Sequence, residues 1–218
     1  MNKNQADIIA ERLQEEIFNG KIANGDRLDE VSLAKKYGVS RTPLREALRK
    51  IAHSGLAELI PRRGTFVRQP SLAELIEMFE VMAEIEAVCG RLAAKRISDE
   101  ALAELHDANE KCQKAVEAQD PDSYYTENAR FHRIIYEESG NKFLAIEAGN
   151  LHKRLQPFRR HQLRLRGRMA QSLSEHKAVL ETLERGDSEA TANALRGHVA
   201  IQGEKFHSLV AMFRNAAE

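Results

Sequence analysis

From Gly38 to Ile51 the chain reads Gly-Val-Ser-Arg-Thr-Pro-Leu-Arg-Glu-Ala-Leu-Arg-Lys-Ile, the stretch around which the rest of the chain can be organised. Ser40 is a favourable helix N-cap, and Pro43 suits the first turn, where a missing N–H costs nothing. Leu44, Ala47, Leu48 and Ile51 then recur at helical spacing, which predicts a short amphipathic helix. Its other face carries Arg41, Arg45, Arg49 and Lys50. A helix with basic and hydroxyl groups at its N-terminal end fits a DNA major groove, where Arg pairs with guanine edges and hydroxyls hold phosphates. Taken alone, such a helix is more often a solvated basic face; the neighbouring segments reverse that reading.

Upstream, Ala6 to Phe18 is amphipathic with Ile9, Leu13, Ile17 and Phe18 on one side and stops at Asn19-Gly20. Asn24-Gly25-Asp26 leads to a second short helix, Glu30 to Tyr37, packing Val31, Leu33 and Ala34, and Gly38 turns the chain into the basic helix. This is helix-turn-helix logic with one further helix in front. Downstream the period changes: Leu56 to Ile60 and Thr65 to Val67 read as strands joined by Pro61-Arg62-Arg63-Gly64. A hairpin with a basic tip suits a wing lying along a DNA backbone or minor groove. Charge agrees, since the chain's formal net charge is +0 while Lys21 to Arg68 holds eleven Lys and Arg against five Asp and Glu. A basic segment in a neutral chain points to a polyanion for that segment only.

Arg41-Thr42-Pro43-Leu44-Arg45-Glu46-Ala47-Leu48-Arg49, then Gly55-Leu56 and Arg63-Gly64-Thr65-Phe66-Val67, resemble the winged-helix domain of GntR-type bacterial transcription regulators over about Ala6 to Val67. The resemblance implies that Arg41, Thr42, Arg45 and Arg49 face the groove or its phosphates, and Ser40 at the helix N-terminus is expected to contact DNA with them. It also implies that Gly64 lets the wing approach closely, and the hairpin's own basic tip assigns Arg62 and Arg63 to DNA contact.

At 218 residues the chain is long enough for two domains. The sequence places a winged helix-turn-helix at residues 1–68, a linker at 69–72 around Pro70, and an all-α domain at 73–218. Six helical segments are expected after the linker: Leu72 to Arg96, Ser98 to Ala118, Pro121 to Glu138, Lys142 to Gln162, Met169 to Arg185 and Asp187 to Asn215. Their short connections favour an antiparallel bundle, so the fold class is mainly α. The N-terminus lacks the apolar run of a secretory signal and no stretch is apolar for long enough to span a bilayer, so a cytoplasmic protein is expected. Cys89 and Cys112 have no metal or redox spacing and read as reduced, partly buried thiols.

Polar residues interrupt the apolar stripes of this bundle. At about 100° per residue, Asn128 and His132 stack on one face with Tyr124, Tyr125, Phe131 and Ile135 around them. His176 lies amid Met169, Leu173, Val179, Leu180 and Leu183, and His198 borders Leu195, Val199, Phe206, Leu209 and Phe213. A single buried His is usually a hydrogen-bonded core residue, but three imidazoles converging in a bundle are a common way to hold a divalent transition metal. The sequence also resembles the FadR-like subfamily of these regulators, whose FCD ligand-binding bundle carries Asp-x-x-x-His and two later histidines that bind zinc, nickel or a similar ion. Here the matching residues are Asn128-Ala129-Arg130-Phe131-His132, Glu175-His176 and His198, with Ser139-Gly140-Asn141 also fitting. Asn128 stands where Asp is typical, so this ligand brings no charge, and lower affinity and an altered metal preference are expected. Members often carry an Arg three residues before the Ile85 position, where this chain has Met82.

Lys153 to Arg168 holds seven Lys and Arg and no carboxylate, and Pro157 is expected to kink that helix. One or two guanidiniums clamping an anion beside the metal is the expectation for Arg160 and Arg154, with Arg130 beside His132; a solvated or subunit-facing basic surface is the alternative. Three functions follow: a homodimeric DNA-binding regulator of a palindromic operator, probed by a carboxylate metabolite as the resemblance implies; a metal enzyme fused to a DNA-binding domain; or a metal-free constitutive DNA-binding dimer. The first is preferred, and the chain is read as no enzyme. Glu127 and Glu175 adjoin presumed ligands but point about 100° away on a helix, leaving no placed general base.

Overall fold

A computed structural model of the chain describes residues 4–200. The described residues divide into two units, one ending at Ser71 and one beginning at Leu72. Gln69 belongs to the first: its backbone N–H donates to Asn24 Oδ1 and its side-chain amide to the Ile17 carbonyl.

The first unit contains α1 (Gln5–Phe18), α2 (Glu30–Tyr37), α3 (Arg41–His53), β1 (Ala57–Ile60) and β2 (Gly64–Val67). Asn4 and Asp29 cap α1 and α2 by accepting from Asp7 N and Ser32 N, each at 2.8 Å. Gly38 ends α2 in the left-handed region, which makes the helix-to-helix turn accessible without a Cβ penalty. Ser40 does hold the N-cap position of α3, but its side chain makes no cap bond there. Ile9, Leu13 and Ile17 of α1 meet Leu44, Leu48 and Ile51 of α3 in a buried core. The hairpin pairs antiparallel with Ala57 opposite Val67 and Ile60 opposite Gly64, and Leu28 N–H and Arg27 extend its edge at Thr65 and Phe66.

The second unit is helical throughout its described length: α4 (Leu72–Ala93), α5 (Asp99–Glu117), α6 (Pro121–Glu138), α7 (Lys142–Leu163), α8 (Arg168–Glu184) and a last helical stretch, 188–200. Ser98, Asp120 and Asn141 cap α5, α6 and α7 with side-chain oxygens. α7 runs through Pro157 to Leu163 as one helix. α6 packs on α4, α5 and α7, and α5 packs on α8. Phe206, Leu209, Phe213 and the expected end of the last helix at Asn215 lie outside the described residues. No described helix is long and apolar enough to cross a membrane.

Candidate functional site

Two constellations stand out, one in each unit. In the first, Arg41, Thr42, Arg45 and Arg49 are exposed along α3, while Leu44, Ala47, Leu48 and Ile51 point into the core. Spacing by four residues puts the three arginines on one stripe. Lys50 is drawn aside by an ion pair with Asp7 of α1. Arg45 Nε donates to Glu30 Oε2 at 2.8 Å. On the hairpin, Arg62 and Arg63 are exposed, and Arg63 lies 5.7 Å from the Phe66 ring centroid. Gly64 has a reason nearer than DNA approach: its φ is +107°, and a Cβ there would lie 3.3 Å from Arg27 Nε. Arg27 thus joins the basic wing, a contribution invisible in its own short polar segment because an isolated bridge to Phe66 places it there.

In the second unit, α6, α8 and the last helical stretch each deliver one histidine to the same buried point. His132, His176 and His198 are at most 1% exposed and offer nitrogens that all lie within 4.8 Å of one another. His132 Nε2 and His198 Nε2 are 3.2 Å apart. His176 stacks on Phe131 with centroids 4.2 Å apart, and neither of its ring nitrogens has a hydrogen-bond partner among the described residues. Burial holds His176 and His198 well below the usual imidazole range, and neighbouring imidazoles push the same way, so both are neutral with lone pairs to offer. Asn128 is buried one turn before His132 on the same helix.

Around the histidines lies a polar shell that sequence reading did not assemble. Glu86 of α4 is fully buried. It accepts from Tyr136 OH at 2.8 Å and Arg159 Nη2 at 2.9 Å, and its other oxygen sits 2.7 Å from His132 Nδ1, off the line of a good hydrogen bond. Burial alone would raise the Glu86 carboxyl, but His132 and Arg159 together hold it well below the usual carboxylate range. Tyr136 OH and Arg159 Nη1 also approach His152 Nδ1, at 3.1 and 3.3 Å. On the other side, Glu175 Oε2 lies 2.6 Å from His198 Nδ1 and accepts from the buried Arg168 at 3.0 Å. Glu175 points away from its neighbour His176, as expected, yet it orients a histidine from the adjacent helix instead.

The arginines expected beside the metal lie elsewhere. Arg154 is exposed. Arg130 pairs with Asp107 and Glu127, and Arg160 binds Asp122 at 2.6 Å and lies over Tyr125. The guanidiniums that reach the interior are Arg159 and Arg168, 3% exposed each. Periodicity held the missing signal: Ala148, His152, Leu155 and Arg159 form one helical stripe, as do Phe79, Met82, Glu86 and Ala93.

Comparison with known proteins places each unit in a family. Residues 5–67 match the gntR family of bacterial regulatory proteins, and residues 77–200 match the FCD domain. The chain is 26% identical over 188 residues to the uncharacterized HTH-type transcriptional regulator YdhC of Bacillus subtilis, covering 86% of this chain and 84% of that protein. It is 25% identical over 187 residues to the HTH-type transcriptional repressor RspR of Escherichia coli, covering 86% and 82%. Its fold superposes on the structure of Escherichia coli McbR/YncC with a TM-score of 0.71 at 22% identity, covering 97% of this chain and 100% of that one. The chain is therefore a GntR-family transcriptional regulator, not an enzyme, with a winged helix-turn-helix DNA-binding domain followed by an FCD domain.

Proposed function

We propose that this regulator is a homodimeric repressor whose affinity for a DNA operator is set by a small carboxylate metabolite bound beside a divalent metal ion, zinc or nickel. The observation that carries the reading is the convergence of three buried imidazoles, of which His176 has no partner for either nitrogen among the described residues. A buried polar group left unsatisfied costs about 1–3 kcal/mol, so a ligand is the economical explanation. His132, His176 and His198 would hold the ion and Asn128 would offer a neutral oxygen. When bound, the ion would supply a Lewis-acidic position for an anionic ligand.

Charge balance favours that anion. Glu86 is matched by Arg159 and Glu175 by Arg168, while His176 and His198 are held neutral by burial and Asn128 carries no charge. A divalent cation would then add two positive charges to a buried site with nothing to offset them, and a carboxylate provides an offset. Glu175 orients His198 through Nδ1, and the Nε2 atoms of His198 and His132 face each other 3.2 Å apart. A ligand that binds one arrangement of the bundle better than another shifts the equilibrium only by that difference in affinity.

The repressor reading draws on RspR, named a transcriptional repressor. Dimerisation draws on α4, whose outer face carries Met78, Val81, Ile85, Val88 and Leu92 at alternating spacings of three and four. Val81 and Val88 are 54% and 37% exposed.

The test is elemental analysis of purified protein beside a His176→Ala variant, followed by operator-binding titrations with a panel of carboxylates. Near-stoichiometric metal, lost in the variant, and a carboxylate-dependent change in operator affinity are expected. Wild-type protein that takes up neither zinc nor nickel on incubation would overturn the metal-centred reading.

A further inference from the structure

Arg41, Arg45 and Arg49 share one exposed stripe of α3, yet only the middle one is tethered. Arg45 Nε donates to Glu30 Oε2 at 2.8 Å, and no other hydrogen bond or ion pair engages either side chain among the described residues. Arg41 and Arg49 have no carboxylate partner there. Glu30 occupies the first turn of α2 but does not cap it, because the neighbouring Asp29 already accepts from Ser32 N. The carboxylate of Glu30 is therefore committed across the turn, to the arginine on the next helix.

Stability is a weak reason for this arrangement. Both partners are substantially exposed, at 58% and 36%, and exposed pairs contribute only about 0–1 kcal/mol. Electrostatics argues against it, since an anion beside a helix bound for DNA repels phosphates. Geometry supplies the gain. A guanidinium gripped at Nε keeps Nη1 and Nη2 free as a parallel pair of donors, the edge that engages guanine O6 and N7 in bidentate fashion. Restraining the side chain beforehand also lowers the entropy lost on binding.

We propose that Glu30 is a positioning residue that presets Arg45 as the guanine-reading side chain of α3, leaving Arg41 and Arg49 to sequence-independent phosphate contacts. The inference rests on α3 lying in the major groove and is independent of any metal or effector.

The experiment is selection of bound sequences from a pool of duplexes with a randomised core, using full-length wild type, Glu30→Gln, Glu30→Asp, Arg45→Ala and Arg49→Ala. Affinity for the unselected pool and the thermal midpoint are measured in parallel. Wild type should enrich a motif with one guanine whose preference Arg45→Ala alone erases. Glu30→Gln should bind the unselected pool as tightly as wild type or tighter, having lost an anion, while preference at that guanine falls about tenfold. Glu30→Asp, with the charge but a shorter reach, should fall between. Arg49→Ala should weaken all sequences alike. The proposal is overturned if Glu30→Gln leaves preference at that guanine unchanged. It also fails if Glu30→Gln weakens every position and the pool together with a lowered midpoint, since Glu30 then merely supports the fold. A wild type that selects no motif at all would instead sink the operator-binding function itself.

Discussion

In the winged-helix unit the charged groups face outward, on an α3 stripe and a hairpin tip where each has water or a single exposed partner. The helical unit does the reverse, enclosing Glu86, Arg159, Arg168 and three histidines where each depends on its neighbours. On the proposed function, the difference follows from what each unit would bind. Phosphates and base edges come to the surface of a rigid scaffold, so readers can be lost without unfolding it. A small ligand held in a bundle interior requires its polar shell to be satisfied in advance, so function and stability share residues there. Substitutions in each unit test that contrast.

The largest effect is expected at Glu86. Glu86→Ala leaves the Arg159 guanidinium buried without its carboxylate and removes the acceptor of Tyr136. Breaking one side of a buried ion pair typically costs about 3–5 kcal/mol, and chemical denaturation followed by circular dichroism should show a loss of that order. A loss below about 1 kcal/mol would mean water reaches this cluster, and the contrast between the units would fail.

Metal comes next. Removal of the proposed ion from wild type should lower the thermal midpoint, because a ligand at a hundred times its dissociation constant stabilises by about 2.7 kcal/mol. His176→Ala should show no chelator response, and DNA affinity of the isolated α3 surface should not depend on His176 directly. Equal chelator responses in both proteins would place the ion outside the three-histidine cluster.

The fold was largely legible because its signals are local. Gly38, Asp120-Pro121 and Ser139-Gly140-Asn141 punctuate the helices through φ preferences and caps, and α2 and α6 begin and end where periodicity put them. The three histidines were legible as well, each lying in an apolar stripe of its own helix. Their shell was not, because partnership between Glu86 and Arg159 spans seventy-three residues and depends on how α4 and α7 pack. A run of seven cations gave no means of choosing Arg159 over Arg160. A rotation of about 100° between adjacent residues decides it, and the stripe through His152 and Leu155 shows which one turns inward.

A smaller effect, confined to binding, is expected at the wing. Arg63→Ala removes an exposed cation that lies over Phe66 and touches no buried group. The thermal midpoint should stay unchanged, while the slope of log affinity against log salt falls by about 0.9 if one phosphate contact is lost. An unchanged slope would show that the hairpin tip does not reach the backbone.

The smallest effect is expected at Arg154, where the contrast is sharpest within one helix. Arg154 and Arg159 are five residues apart, so their side chains leave α7 about 140° from each other. One is exposed and the other is enclosed by Glu86 and His152. Arg154→Ala should change stability by no more than about 0.5 kcal/mol, as exposed substitutions usually do, and should leave any carboxylate response of operator binding intact. Arg159→Ala should lower stability by several-fold more, since it strands the Glu86 carboxylate. If Arg154→Ala instead abolished the carboxylate response with the thermal midpoint unmoved, the effector would be read at the surface. The helical unit would then follow the rule of the winged helix, with recognition outside and only the scaffold within.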